Sequence, residues 1–205
     1  MKTSLKFAKS ALNKKLVLLA FAGFAAATTN AQIQIGVKGG LNLSSYGGSY
    51  SSGTSTLVGF HLGGLVKIPL VEQFSLQPEL VYSTQGAKLN SDGVSASLHD
   101  NYLNIPVMFK YTHESGFFAE TGPQLGFLLS AKEKIGDNST DRKGSFKSTD
   151  FSWDFGIGYL LKPANVGINL RYNVGLANVD NTGDNLTLRN NVFQIGIFYL
   201  FKGSR

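Results

Sequence analysis

The chain contains no cysteine, which excludes disulfide staples, thiolate metal centres and a thiol nucleophile. Charge is scarce: Asp, Glu, Lys and Arg make up 16% of the residues, against about 25% in ordinary soluble domains. Long apolar runs are missing too. The run at residues 16–27 is 12 residues long, short of the ~20 that a helix needs to cross a bilayer, and no later stretch approaches that length. No helical span is therefore expected. The formal charge of +6 is unevenly spread. Lys2, Lys6, Lys9, Lys14 and Lys15 lie in residues 1–31, which hold no acid, and the rest of the chain carries 14 Lys+Arg against 13 Asp+Glu. That near-neutral remainder argues against a nucleic-acid partner.

The basic start followed by the apolar run has the form of an export signal. Thr29-Asn30-Ala31 offers small residues where a signal peptidase cuts. We expect residues 1–31 to be a signal peptide and residues 32–205 to form the mature domain. The absence of a cysteine after the run argues against a lipoprotein.

Glycine (24), Phe (15) and Tyr (8) are plentiful, and apolar residues recur with a period of two. In residues 102–111, Leu103, Ile105, Val107, Phe109 and Tyr111 share one face, and Asn104 and Lys110 the other. A period of two is a strand with one apolar and one wet face. Seven further segments follow this pattern, at 33–43, 57–68, 74–85, 117–129, 151–161, 166–176 and 191–201. The last is less clean, because Phe198 and Leu200 fall on its wet face. Connections alternate between short (69–73, 112–116, 162–165) and long (44–56, 86–101, 131–150, 177–190). Outer-membrane barrels have short periplasmic turns and long outer loops. The expected fold is all-β: an eight-stranded antiparallel up-and-down transmembrane β-barrel.

Alternation alone leaves open a soluble barrel with the apolar row inside. Three features favour the membrane. Glycine crowds the wet row, which suits a narrow interior. Aromatic residues gather at both segment ends, as interfacial girdles do. The chain nearly ends on Phe198-Tyr199-Leu200-Phe201, which resembles the C-terminal signal read by barrel-assembly machinery. Pro78, Pro106 and Pro123 fall inside strands at similar heights, so bulges or missing ladder bonds are expected there.

Eight strands leave room only for side chains. The inward row would carry Lys38, Lys67, Lys110 and Arg171 against Glu79, Glu120 and Asp154, and buried charges are tolerated when paired. We expect a lumen charge network of these seven residues, densest at Arg171, whose fork can bridge two carboxylates. A proton or ligand site in the same place is the functional alternative. Of the three histidines, His61 points inward, and an enzyme could in principle set it beside Asp154 and a serine. No Ser/His/Asp spacing marks such a set, and no enzyme, cofactor or metal is expected. Asp180-Asn181-Thr182-Gly183-Asp184 lacks the remaining positions of a calcium loop and is expected to be an Asx-rich turn. The 132–150 loop is expected to be solvated and mobile. The 44–55 loop would be flexible, with Tyr46 and Tyr50 available for surface contacts.

The stretch Asn101-Tyr102-Leu103-Asn104-Ile105-Pro106-Val107-Met108-Phe109-Lys110-Tyr111 resembles the YLEIPLLLKY signature of the PorT-like outer-membrane β-barrel domain family, common in Bacteroidota. Residues 170–179, LRYNVGLANV, are similar to that family's RYSYGLTNI element, and residues 118–126, FAETGPQLG, to its aGPxxG strand. Asn104 stands where the family usually has glutamate, which removes one inward carboxylate. The resemblance spans essentially the whole mature chain and implies an eight-stranded outer-membrane barrel. It implies no single activity, although a few members are accessory parts of a secretion or gliding apparatus. The expected partners are outer-membrane lipid, the barrel-assembly machinery during insertion, and a protein at the outer loops. The expected role is structural or accessory. A lipid-modifying or proteolytic barrel and a small-solute channel are the alternatives.

Overall fold

The computed structural model describes residues 33–49, 54–91, 94–183 and 186–202. The expected signal peptide and Tyr50 lie outside the described residues. Among the described residues nine strands form in order: β1 (Gln34–Gly48), β2 (Thr54–Val71), β3 (Phe74–Ser91), β4 (Val94–Thr112), β5 (Phe117–Ile135), the short β6 (Asn138–Asp141), β7 (Thr149–Leu161), β8 (Val166–Gly175) and β9 (Leu188–Leu200). All pairings are antiparallel. The sheet runs β4-β3-β2-β1-β9-β8-β7-β5 and closes on itself through β4–β5, while β6 adds only to the outer end of β5. Eight strands thus make a closed barrel without an open edge, which satisfies the wall's backbone groups within the sheet.

The period of two decides what faces out. Ile35, Val37, Leu41, Leu62, Leu80, Phe109, Leu125, Phe155, Ile157, Leu170, Ile195 and Ile197 are exposed, several by more than half. The alternating residues Lys38, Asn42, His61, Glu79, Lys110, Glu120, Asp154 and Arg171 are buried. An apolar band on the outside and charge on the inside is the inverse of a water-soluble barrel, and a surface of that kind calls for hydrocarbon around it. Aromatic pairs mark the lower edge of the band: Phe74 against Phe109 and Tyr111, Phe117 against Tyr159, and Tyr199 against Phe201.

The strands are longer than the alternation suggested. The expected loops at 44–56 and 86–101 are largely strand, and β3 and β4 stay in register up to Ser91 and Val94. The reason is a reversal of pattern above the band. There the inward residues are apolar or aromatic (Tyr46, Ala87, Tyr102, Leu128, Ala131, Leu188) and form one buried cluster. The outward ones are polar, as in a soluble barrel, so the apolar outer row that marks the lower strands stops at the membrane surface. Tyr46 is accordingly buried, not a surface contact. The 132–150 segment is structured: it completes β5, turns into β6, passes through a 3-10 turn at Lys143–Ser145 and brings Phe146 into the same buried cluster.

The prolines interrupt the ladder without shifting it. Register pairs are missing at Pro78 on its β2 side, at Pro106 on its β3 side and at Pro123 on its β4 side, yet the register beyond each gap is unchanged. Pro123 pairs with Trp153. The bulges lie elsewhere, between Thr56 and His61, between Pro69 and Val71, and at Asn101/Tyr102.

Candidate functional site

The lumen is filled in three layers. At the periplasmic end, Leu65, Phe118, Leu160, Phe198 and Leu200 make a buried apolar plug, with Phe118 and Phe198 packed edge to face at 5.8 Å. The two rings find room because Gly158 and Gly167 stand opposite them. A Cβ at Gly158 would collide with the Phe118 ring, and one at Gly167 with the Phe198 ring. Phe198 and Leu200, which blurred the pattern of the last segment, are therefore core residues of the barrel. The alternation alone does not mark Leu65, Phe118 and Leu160 as core residues. Their signal was a large apolar residue on the wet parity near the periplasmic end of a strand.

Above the plug lies the charged layer. Arg171 on β8 sends Nη1 to Glu79 Oε2 at 2.9 Å and Nη2 to Glu79 Oε1 at 2.8 Å. It also reaches Glu120 Oε1 on β5 through Nε at 3.0 Å and Nη2 at 2.6 Å. Lys38 Nζ donates to Glu79 Oε2 at 2.8 Å, and Lys110 Nζ lies 3.3 Å from Glu120 Oε2. Gln77 donates to Glu79 at 2.8 Å and accepts from Lys110 at 3.4 Å. The Lys110 ammonium also caps the Phe118 ring at 3.6 Å from its centroid, a cation–π contact that ties the charged layer to the plug. All five charged residues are at most 4% exposed.

Two of the seven expected members stand apart. Asp154 lies two residues above Gly156, the register partner of both Arg171 and Glu120. Its carboxylate accepts from the Ser152 hydroxyl at 3.2 Å and makes no ion pair among the described residues. Lys67 is on the inward parity but two residues below Leu65, on the periplasmic side of the plug. It is partly exposed and also makes no ion pair among the described residues. Parity fixed the face of both side chains. Their heights along the barrel kept them out of the cluster.

The third layer is made of amides and hydroxyls under the outer cap. The Asn42 amide donates to Phe60 O, Ser83 Oγ and Thr84 O, so its Oδ1 accepts, and His61 Nδ1 donates to it at 2.8 Å. Gln124 donates to Ser152 at 3.1 Å, and Asn173 to Gln124 at 3.4 Å. His61 and Asp154 therefore belong to separate hydrogen-bond sets with no serine bridging them. Higher still, Asn190 donates to Asp150 at 3.0 Å and to Tyr102 at 3.2 Å, and the Tyr46 hydroxyl bonds to Asp100. Phe146 and Val179 then close the mouth. Beside this cap a cleft of about 220 Å³ opens outward between Tyr46, Leu98, Arg142, Phe146 and Asp180. The Thr182 backbone N–H donates to Asp180 Oδ2 at 3.3 Å, an Asx turn; Asp184 lies outside the described residues.

This arrangement seals a barrel and stiffens it. A bidentate, fully desolvated Arg–carboxylate cluster is among the strongest hydrogen-bonded groupings available to side chains, and its value lies in being complete, because a lone buried charge is costly.

No curated protein matches the sequence. The fold is similar to that of a small outer-membrane barrel of known structure, NspA, and lower-scoring alignments cover most of two others. Neisserial surface protein A (NspA) is 13% identical, with 82% of this chain and 97% of that one aligned at a TM-score of 0.54. Ail, the attachment invasion locus protein of Yersinia pestis, is 13% identical over 83% and 99% of the two chains with a TM-score of 0.49. OprG from Pseudomonas aeruginosa is 12% identical over 83% and 97% with a TM-score of 0.45. The sequence profile of the family described as outer membrane protein beta-barrel domain matches residues 24–181. With its closed eight-stranded wall, apolar outer band and matching profile, the chain belongs to the outer-membrane protein β-barrel domain family and is an integral protein of the outer membrane.

Proposed function

We propose that this barrel is a non-enzymatic structural or accessory protein of the PorT-like type, acting through its outer end on a protein partner. Residues 1–31 would direct export and be cleaved, residues 32–205 would form the mature domain, and the terminal aromatic strand would guide insertion by the barrel-assembly machinery. The observation that carries this reading is the filled lumen. Lys38, Glu79, Lys110, Glu120 and Arg171 are engaged with one another, His61 Nδ1 is bonded to Asn42, and the interior is capped by Tyr46, Phe146 and Val179. What remains available is the folded outer end, where the β5–β6 hairpin and the 3-10 turn rise above the wall.

The test is cross-linking in native outer membranes followed by copurification. The wild type is compared with a variant in which residues 136–141, the turn and the whole of β6, are replaced by a short Asn-Gly link. The expected result is a defined partner captured by the wild type and lost in the variant. The same capture by both proteins, or capture of nothing by either, would overturn the proposal.

A further inference from the structure

Above the apolar band one flank of the wall becomes basic. Across β3, β4 and β5 the outward rows can be followed by register. Tyr82, Leu103 and Phe127 form the top of the band, and Thr84, Asn101 and Ser130 follow above it. Next comes a row of Gly86, His99 and Lys132, with Asp141 added by β6, and then a row of Lys88, Ser97 and Lys134. The alternating residues Gln85, Ala87, Asp100 and Ala131 are buried inside, so these rows point away from the lumen. Lys88, Lys132 and Lys134 are exposed. Among the described residues none of the three forms an ion pair, and all five ion pairs present lie elsewhere. At the same height β1 and β9 present Ser45, Gly47, Asn191 and a single cation, Arg189.

Lys132 and Lys134 share the outward face of β5, and Lys88 stands in the row of Lys134 two strands away, across Ser97, so cations of one sign gather on this flank and repel one another. Lysines are often kept on strands to protect an open edge, but β3, β4 and β5 are each paired on both sides. Position supplies a reason. Lys132 is three residues beyond Leu129, an exposed apolar residue of β5. At ~3.3 Å per residue on a strand tilted by ~40° that is about 8 Å, at the edge of the polar headgroup layer, which is about 5–7 Å deep. A lysine stem can lie back along the wall and bring its ammonium down into that layer.

We propose that this flank of β3–β5 binds the phosphate groups of outer-leaflet lipid headgroups, with Lys88, Lys132 and Lys134 as the cationic contacts. The site is independent of any protein partner at the hairpin tips.

The test is native mass spectrometry of the full-length protein released from detergent micelles, titrated with bis-phosphorylated lipid A and with the same lipid after removal of both phosphates. One variant combines Lys88→Gln, Lys132→Gln and Lys134→Gln. A control combines Lys143→Gln, Lys147→Gln and Arg189→Gln, the same charge loss placed elsewhere on the outer end. Heat-modifiable gel migration verifies that each variant is folded. The wild type and the control should retain the phosphorylated lipid with equal affinity and hold the dephosphorylated lipid poorly. The flank variant should bind the phosphorylated lipid ten- to a hundredfold more weakly, as expected for three lysines at a charged membrane surface. Equal retention of the two lipids by the wild type, or equal loss in the two variants, would overturn the assignment.

Discussion

The Arg171 guanidinium closes on the Glu79 carboxylate through two parallel hydrogen bonds of 2.9 and 2.8 Å, 92 residues apart in sequence and across the width of the lumen. Arg171→Met would leave Glu79 with Lys38 and Gln77 alone and remove both bonds to Glu120. Breaking a buried pair costs about 3–5 kcal/mol. We expect that loss in urea unfolding of the reconstituted barrel, followed through Trp153, the chain's one tryptophan. Arg171→Lys keeps the charge but not the fork, so it should recover less than half of the loss. A cost below ~1 kcal/mol for Arg171→Met would mean that the layer is not what holds the barrel walls together.

Much of this was legible in the sequence because the pleat repeats every two residues. Leu103, Ile105 and Phe109 had to share one face and Asn104 and Lys110 the other, and once lipid is outside, Lys38, Glu79, Glu120 and Arg171 must be inside. Parity gives a face but not a height. Parity therefore puts Lys67 and Asp154 on the same face as the cluster, although they lie below and above it. It also fails where the solvent changes. Beyond the membrane surface the apolar side turns inward, so Tyr46, Ala87 and Leu188 look like loop residues in the sequence and are strand residues in the fold. The bulge at Asn101/Tyr102 falls in the same region. It shifts register by one residue, which no local pattern announces.

The pairing of Gly167 with Phe198 gives a second prediction. A methyl group at residue 167 would overlap the ring, whose Cε2 would lie 2.8 Å from it. Gly167→Ala should therefore cost about 1–3 kcal/mol by overpacking. Phe198→Leu alone should also destabilise, by loss of packing in the plug. Combined, the two should cost clearly less than their sum, because the smaller side chain relieves the clash. The measurement is a double-mutant cycle by urea unfolding, and strict additivity would show that the two residues do not share the space.

The filled interior predicts electrical silence. Purified protein in a planar bilayer should give no current steps at either polarity, since an eight-stranded barrel holds only its own side chains. Replacing Phe118 and Phe198 with Ala removes both rings of the periplasmic plug but leaves the Arg171–Glu79–Glu120 layer in place, so this variant should also stay closed. Adding Arg171→Ser to the pair removes the bridge between opposite walls, but the amide layer and the Tyr46–Phe146–Val179 cap stay in place, so this variant should stay closed as well. Steps in the wild type would show a continuous path that the side-chain layers do not block.

The outward row can be tested by asking what surrounds it. Ile195 and Leu41 are register partners near the level of His61 and Gly40, well inside the apolar band, and both are about half exposed. Ile195→Arg should cost about 2–4 kcal/mol, the price of an arginine near the bilayer midplane. Ser45→Arg is four residues further along β1 on the same outward face but above the band. It should cost less than ~1 kcal/mol, because that position meets headgroups and water. Both values come from urea unfolding in lipid vesicles. If the two substitutions cost the same, position along the wall would have no bearing on what the side chain meets, and the apolar band would not be the surface that lipid covers.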